Sequence, residues 1–542
     1  MFIDARSLPN ATILDADLCI IGAGAAGITL ALQFIDRSTK VVVLEAGGLK
    51  SDAVTQSLYA GEVVGLPCVR PDLSRSRFFG GSTNCWGGWC RPLDEIDMLE
   101  RPWIPNSGWP ITREDLQPYY EKSHYLLKLG AFNYDQSSWV DELASSQVTF
   151  FPLTDSSIDN TVCLLSPPAR FGVLYRERLK NAENIRVILN ANVTELHTDE
   201  AASTVTSIDV ATLSGNRFSI SPRATVLCSG GIENARLLLA SNRVQKAGLG
   251  NGRDVVGRYF MDHPSTRMGV ARLRDQRHHR RLYDNSLALT RRRVNLPHIR
   301  VAAHLAPTEG TQRRLSLANS RTYLMARYFH SVSQSYQRLK AIRQSIRNGA
   351  RFGLQMKEVV GQTLAALPGL LLAAPQLAVA LLDNRFNPDF VTRDFQIETI
   401  IEPIPNPDSR IMLSDRRDEL GVRKVRVDWR LTEQDKRNFE DTHDLVVSEL
   451  EKRGAVLVAD KEAHVAARWP ETVEGCWHHM GTTRMHLDPG KGVVDAQCKV
   501  HGVDNLFIAG SSVFPTGGSD TPTITIVALA LRLAERLQAE LR

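Results

Sequence analysis

Between Asp17 and Gly48 the chain reads DLCIIGAGAAGITLALQFIDRSTKVVVLEAGG, and this stretch limits the possible folds more than any other. An apolar run, Leu18 to Ile21, leads into Gly22, Gly24 and Gly27, and small and apolar residues continue to about Phe34. That is a buried strand, a glycine turn and a helix in order. Gly22 permits the tight turn, Gly24 lets the backbone approach a pyrophosphate, and Gly27 lets the helix pack on the strand. The helix N-terminus then faces the phosphates. A second apolar strand, Val41 to Leu44, ends in Glu45, where a carboxylate can accept from ribose hydroxyls. The pattern predicts a dinucleotide-binding βαβ unit at the head of a parallel sheet.

Composition narrows what surrounds that unit. The 542 residues are 43% hydrophobic and 23% charged, which excludes collagen-like, coiled-coil and wholly disordered chains. The net charge of +5 is small for this length, so no nucleic-acid partner is expected. The eight cysteines, Cys19, Cys68, Cys85, Cys90, Cys163, Cys228, Cys476 and Cys498, form no CxxC pair, and no metal site is expected. They read as reduced thiols. The first residues, MFIDARSLPNATILDAD, lack a basic stretch followed by an apolar one, so a cytoplasmic location is expected.

Three further stretches belong with the first. Phe79 to Arg91, FGGSTNCWGGWCR, mixes glycine with aromatic and polar residues too tightly for an ordinary loop. Ala224 to Leu239, ATVLCSGGIENARLLL, is a strand, a glycine pair and a helix. Asn505 to Leu533 repeats that order at the C-terminus. Pieces distant in sequence thus build one nucleotide fold.

With these motifs in place, the chain resembles the glucose-methanol-choline (GMC) flavoprotein oxidoreductases from about Asp17 to its end. The resemblance rests on GAGAAG with Glu45, GGSTNCWGG, SGWPITREDLQPYY, VLCSGGIENARLLL, VVGRYFMDHP, PNPDSRIMLS, HHMGTTRM and NLFIAGSSVFPTGGSDTPTITIVALALRLA. It implies an α/β (α+β overall) fold with FAD in a discontinuous Rossmann-like domain, 1–264 and 471–542, carrying a substrate-domain excursion near 111–185. Residues 265–470 would form a substrate domain with an antiparallel sheet over the flavin ring.

Carried over by position, Gly22, Gly24, Gly27 and Glu45 would hold the ADP half of FAD. Gly81, Ser82 and Asn84 would face the flavin, Val193 would meet the adenine through its backbone, and Gly510 and Ser511 would lie beside the pyrophosphate or ribityl chain. Family members tethered to FAD carry histidine where this chain has Cys85, so noncovalent FAD is expected. His478, in HxxGT, matches the family's catalytic base. A neutral imidazole suits removal of an alcohol proton while hydride leaves the carbinol carbon. His479 is expected to pack or to bond backbone, and His263 reads as structural. The family's second polar catalytic residue falls at Thr521, whose hydroxyl can orient a substrate but cannot act as a base; Asp520 beside it is a candidate to compensate.

The segment 265–470 carries the least family pattern. Arg272 to Arg293 holds eight arginines, and Thr311 to Lys357 holds ten Lys or Arg with no acid. Val359 to Leu382 then runs 24 residues without a charge, interrupted by Pro368 and Pro375. The expectation is a basic and apolar helical insertion near 311–382 that docks on a membrane surface, peripheral on its inner face. A subunit interface, a buried hairpin and a membrane span are the alternatives.

These readings converge on an FAD-dependent alcohol dehydrogenase or oxidase acting on a small-molecule alcohol, sugar- or polyol-like or lipid-like. Electrons would pass to an external acceptor, a membrane quinone if the docking holds. A lyase of the same fold that keeps FAD as structure, and a flavoprotein with weakened catalysis, are the competing functions.

Overall fold

The computed structural model describes residues 1–66, 70–145, 148–274, 279, 282–284, 295–296, 299–328, 392–458, 469 and 473–542. The βαβ unit forms as expected. Strand Thr12–Ile21 is fully buried over Leu18 to Ile21, helix Ala25–Leu32 follows Gly24, and strand Val41–Leu44 pairs with the first strand in parallel. Continuous burial explains the unbroken apolar runs, because both faces of a parallel sheet are covered.

These strands lie in the middle of an eight-stranded sheet. Its order is Phe2–Asp4, Ile185–Leu189, Val41–Leu44, Thr12–Ile21, Arg217–Leu227, Val205–Ala211 and Asn192–Thr198, with Leu506–Ile508 also paired to Arg217–Leu227. Pairing is parallel from the first of these to Arg217–Leu227 and antiparallel beyond. The C-terminal strand Leu506–Ile508 lines up with Thr225 to Leu227, so the glycine turns after Ile21, Leu227 and Ile508 meet at one end of the sheet. Helix Thr523–Glu540 packs against helices Ala25–Leu32 and Arg113–Leu127. Tyr120 and Thr525 hydroxyls share a 2.9 Å hydrogen bond across that contact.

A second, nine-stranded antiparallel sheet runs Val456–Val458, Pro264–Arg272, Thr392–Ile401, Ser320–Tyr328, Ile299–Pro307, Ile158–Leu165 and Trp89–Cys90, with two short strands at its sides. Its central pair is in register with Arg321 opposite Ile400. A three-stranded sheet, Arg410–Arg417, Arg423–Asp428 and Glu62–Val63, flanks the whole.

One expectation needs correction. The start of the segment 311–382 is not the beginning of a basic helical insertion: a short helix, Glu309–Leu315, is followed by strand Ser320–Tyr328 of the second sheet. Arginines counted as one basic surface therefore separate, Arg313 on an exposed helix and Arg321 buried in the sheet. The apolar run Val359 to Leu382, and most of Arg272 to Arg293, lie outside the described residues. Among the described residues no helix is long and apolar enough to cross a membrane.

Candidate active site

A cavity of about 490 Å³ runs from the glycine turns of the first sheet to the inner face of the second. At its nucleotide end Gly22 has φ +103°, and a Cβ there would lie 2.7 Å from the Cys228 carbonyl oxygen. A Cβ on Gly27 would meet the Gly22 carbonyl oxygen at 1.9 Å, which is how the helix closes onto the turn. Gly24 caps helix Ala25–Leu32 without a side-chain bond, so the first N–H groups are open to a ligand. Glu45 lines the cavity, accepting from Ala23 N at 3.0 Å and Gly47 N at 2.9 Å. Burial pushes its carboxyl above the usual range, against the pull of those amides.

Gly81, Ser82, Val193, Gly510 and Ser511 all line the same cavity. Gly510 has φ +127° and nothing within 4 Å of its absent Cβ, so the backbone itself forms the wall. Asn84 does not line it. Its amide donates to the Phe79 and Gly81 carbonyls, both at 3.0 Å, and braces the loop from behind. Cys85 does face the cavity, with its thiol donating to Ser82 O and accepting from Ser76 Oγ.

Sequence reasoning missed a buried ion network at this end. Glu233 holds Arg75 at 2.9 Å and Arg236 at 3.1 Å, and Arg236 also holds Asp418 at 2.7 Å. Burial works against the Glu233 charge, but Arg236, Arg75 and Arg77 outweigh it and hold the carboxyl down to about 2. The available signal was GIENAR, which places Glu233 and Arg236 on one helix face.

His478 lines the same cavity. The carboxylate of Asp262 accepts from Trp477 N at 3.1 Å and His478 N at 2.7 Å, fixing the backbone where Trp477 takes φ +66°. Beyond it the chain runs beside the last glycine turn, with Gly481 N, Thr483 N and Met485 N donating to Ser511, Ser512 and Val513 carbonyls. His478 Nδ1 lies 2.8 Å from His263 Nδ1, and His263 Nε2 lies 2.7 Å from the Gly518 carbonyl oxygen.

A carbonyl can only accept, so His263 carries its proton on Nε2 and offers a lone pair at Nδ1. His478 must then donate from Nδ1, which leaves its Nε2 unprotonated. Both rings are buried. Burial, with Arg321 nearby, pushes His263 down to about 3, and burial, His263 and Arg321 push His478 well below the ordinary histidine value. His263 is thus more than structural. His479 also borders the cavity, its ring 5.8 Å from that of Phe260 and its carbonyl accepting from Ser511 Oγ at 2.7 Å.

Thr521 lines the cavity, but its hydroxyl donates to the Trp89 carbonyl at 2.6 Å. Only its lone pairs are left for a ligand. Asp520 turns away from the cavity into a buried cluster, 3.1 Å from Arg321 Nη1 and 3.6 Å from Arg91 Nε. Cys163, His304 and Asp520 present ligand-type atoms within 4.8 Å of one another. Two guanidiniums already neutralise that carboxylate, so the group reads as an ion pair.

Comparison with known proteins agrees with this architecture. Residues 405–530 match the C-terminal domain model described as GMC oxidoreductase. Paromamine 6'-oxidase of Streptomyces fradiae is 34% identical over 148 residues, 27% of this chain and 26% of that protein. The match thus spans about a quarter of that relative's length. 2-Methyl-1,2-propanediol dehydrogenase of Mycolicibacterium austroafricanum is 23% identical over 96% of this chain and 94% of its own. The crystal structure of pyridoxine 4-oxidase from Mesorbium loti superposes with a TM-score of 0.56 at 15% identity, covering 97% of this chain and 99% of that one. The C-terminal domain is thus matched in sequence to the GMC oxidoreductase model over residues 405–530, and the fold of pyridoxine 4-oxidase is shared over nearly the whole chain.

Proposed function

We propose that the protein oxidises an alcohol, using noncovalently bound FAD and His478 as the base. The observation that carries this reading is the chain of contacts from Gly518 O through His263 to His478 Nδ1, which leaves Nε2 of His478 to accept a proton, in a cavity continuous with the glycine turns. The donor set there fits FAD: a Cβ-free cradle at Gly22, Gly24 and Gly510, an uncapped helix start for a pyrophosphate, and Glu45 for ribose hydroxyls. FAD, when bound, supplies the hydride-accepting ring. Gly81 and Ser82 would border it, Ser511 would lie beside the pyrophosphate or ribityl chain, and Val193 would meet the adenine.

His478 takes the hydroxyl proton at Nε2, which makes the carbinol C–H a better hydride donor. His263 holds the ring through Nδ1, and Asp262 holds its backbone. Thr521 contributes an acceptor oxygen for orientation and no proton. The names of the relatives refer to paromamine and to a diol, which supports a polyol-like alcohol before a lipid-like one. Electrons leave to an external acceptor. A membrane quinone is the acceptor we propose, on the uncharged run Val359 to Leu382.

Cys85 supports the noncovalent link, since no histidine stands at that position. Acid precipitation should release all flavin into the supernatant; colour kept in the pellet would contradict it. Anaerobic bleaching of the bound flavin by an alcohol tests the reaction itself, and turnover with unreduced flavin would point to a lyase instead.

A further inference from the structure

Arg321 is the one residue of the basic segment that reaches the cavity wall among the described residues. It sits on strand Ser320–Tyr328, opposite Ile400, which lines the cavity too. Its side chain is 3% exposed. Nη1 donates to Asp520 Oδ1 at 3.1 Å, while Nε is buried with no acceptor among the described residues. A guanidinium offers five N–H donors in a fixed fork and stays charged even when buried. This one is left with donors to fill.

Asp520 does not supply the rest. Its carboxylate lies behind Arg321, away from the cavity wall, and is shared with Arg91 at 3.6 Å, with the Cys163 thiol at 3.5 Å and with His304 at 3.8 Å. Three carboxylates do line the cavity, and each already has partners. Glu45 accepts from two backbone amides, Glu233 pairs with Arg75 and Arg236, and Asp418 pairs with Arg236. Arg321, Tyr323, Ile400, Trp89 and His478 also line the wall, the first four from the second sheet. These five carry a positive charge and no carboxylate. In a site of low dielectric this attracts an anion and repels an ammonium group.

We propose that Arg321 is a specificity-determining residue, and that the substrate is an alcohol bearing a carboxylate, whose oxygens accept from the guanidinium where it lines the cavity. This rests on the oxidoreductase reading above, because it places the substrate between Arg321 and His478. Bidentate pairing with a planar carboxylate suits the fork geometry, and the paired Asp520 keeps the guanidinium from turning away. Asp520 is the positioning partner in this arrangement.

The test uses the purified holoenzyme. Propionate, propylammonium and 1-propanol are titrated separately while the absorbance of bound flavin is followed. Propionate should perturb the spectrum and propylammonium should not. The double variant Arg321→Met/Asp520→Asn, which removes both buried charges together, should bind propionate about tenfold or more weakly, the scale of a lost charge-assisted hydrogen bond. Arg321→Lys keeps the charge and its partner, and so guards against a folding artefact. It should still prefer propionate over propylammonium, with weaker binding than wild type. Anaerobic reduction by 3-hydroxypropionate, 1,3-propanediol and 3-amino-1-propanol should follow in that order. Propylammonium binding as tightly as propionate, no response to propionate, or variants that bind propionate like wild type would overturn the proposal. Flavin that none of the three alcohols reduces would sink the oxidoreductase reading, while the propionate titration still decides the role of Arg321.

Discussion

The chemical state of His478 is set by His263, a residue 215 positions earlier in the chain. No spacing rule links two residues so far apart, so HxxGT pointed to His478 while MDHP carried no sign of its partner. Arg321 was hidden in a different way. Counted with its neighbours it looked like part of a basic surface, whereas strand alternation puts Arg321 and Tyr323 on the cavity wall. His263→Ala should keep FAD but slow flavin reduction by about tenfold or more, between a lost orienting contact and a lost base. The pH profile separates this from general damage. Both histidines are held below their ordinary value of 6.5 and stay neutral above it. Any change in rate near neutrality therefore belongs to the buried Asp262 carboxyl, which burial pushes up to about 7, and the rate should be flat above that. The acidic limb from His478 protonation lies below 6.5, and the stability these neutral rings contribute is lost in the same direction, as pH falls. In His263→Ala the limb should move upward, because one of the groups depressing His478 is gone. Stopped-flow reduction from about pH 5 to pH 9 measures it.

Elements whose signal is contiguous were legible in the sequence. Strand, glycine turn and helix follow one another within Asp17 to Phe34, and the structure repeats that order after Leu227 and Ile508. That the three pieces join in one nucleotide fold was read from this repeated order, and the parallel pairing of Arg217–Leu227 with both neighbours supplies its physical cause. Asn84 shows the limit of reading by position. A polar residue in a glycine loop can face the ligand or hold the loop, and here its amide finds two backbone carbonyls first. The turn at Gly510 offers a direct test of the cradle. With φ +127° and ψ −175° it occupies a region nearly restricted to glycine, so Gly510→Ala should cost about 1–3 kcal/mol in strain and put a methyl group into the cavity. Flavin content per chain and the melting midpoint should both fall. A variant that retains wild-type flavin content would remove Gly510 from the cofactor site.

At the scale of the whole molecule, the first sheet supplies turns and the second supplies a wall, and the cavity lies between them. The second sheet draws strands from as far apart as Trp89–Cys90 and Glu474–Gly475, which local patterns do not reveal because antiparallel partners need only meet in space. The proposed membrane contact belongs to this scale as well. Each Lys or Arg facing an anionic bilayer contributes about 1 kcal/mol. Co-sedimentation with anionic liposomes, partly salt-resistant and abolished by deleting Leu364 to Leu382, is the expected outcome. A protein that stays in the supernatant at low salt would return that stretch to an interface or core role. The central claim is that His478 removes a proton while hydride leaves an alcohol. Anaerobic stopped-flow reduction of the bound flavin by an alcohol panel, in wild type and His478→Ala, tests it most directly. Wild type should bleach with at least one alcohol, and His478→Ala should keep its FAD and reduce at least roughly a hundredfold more slowly. Equal rates in the two proteins would contradict the account.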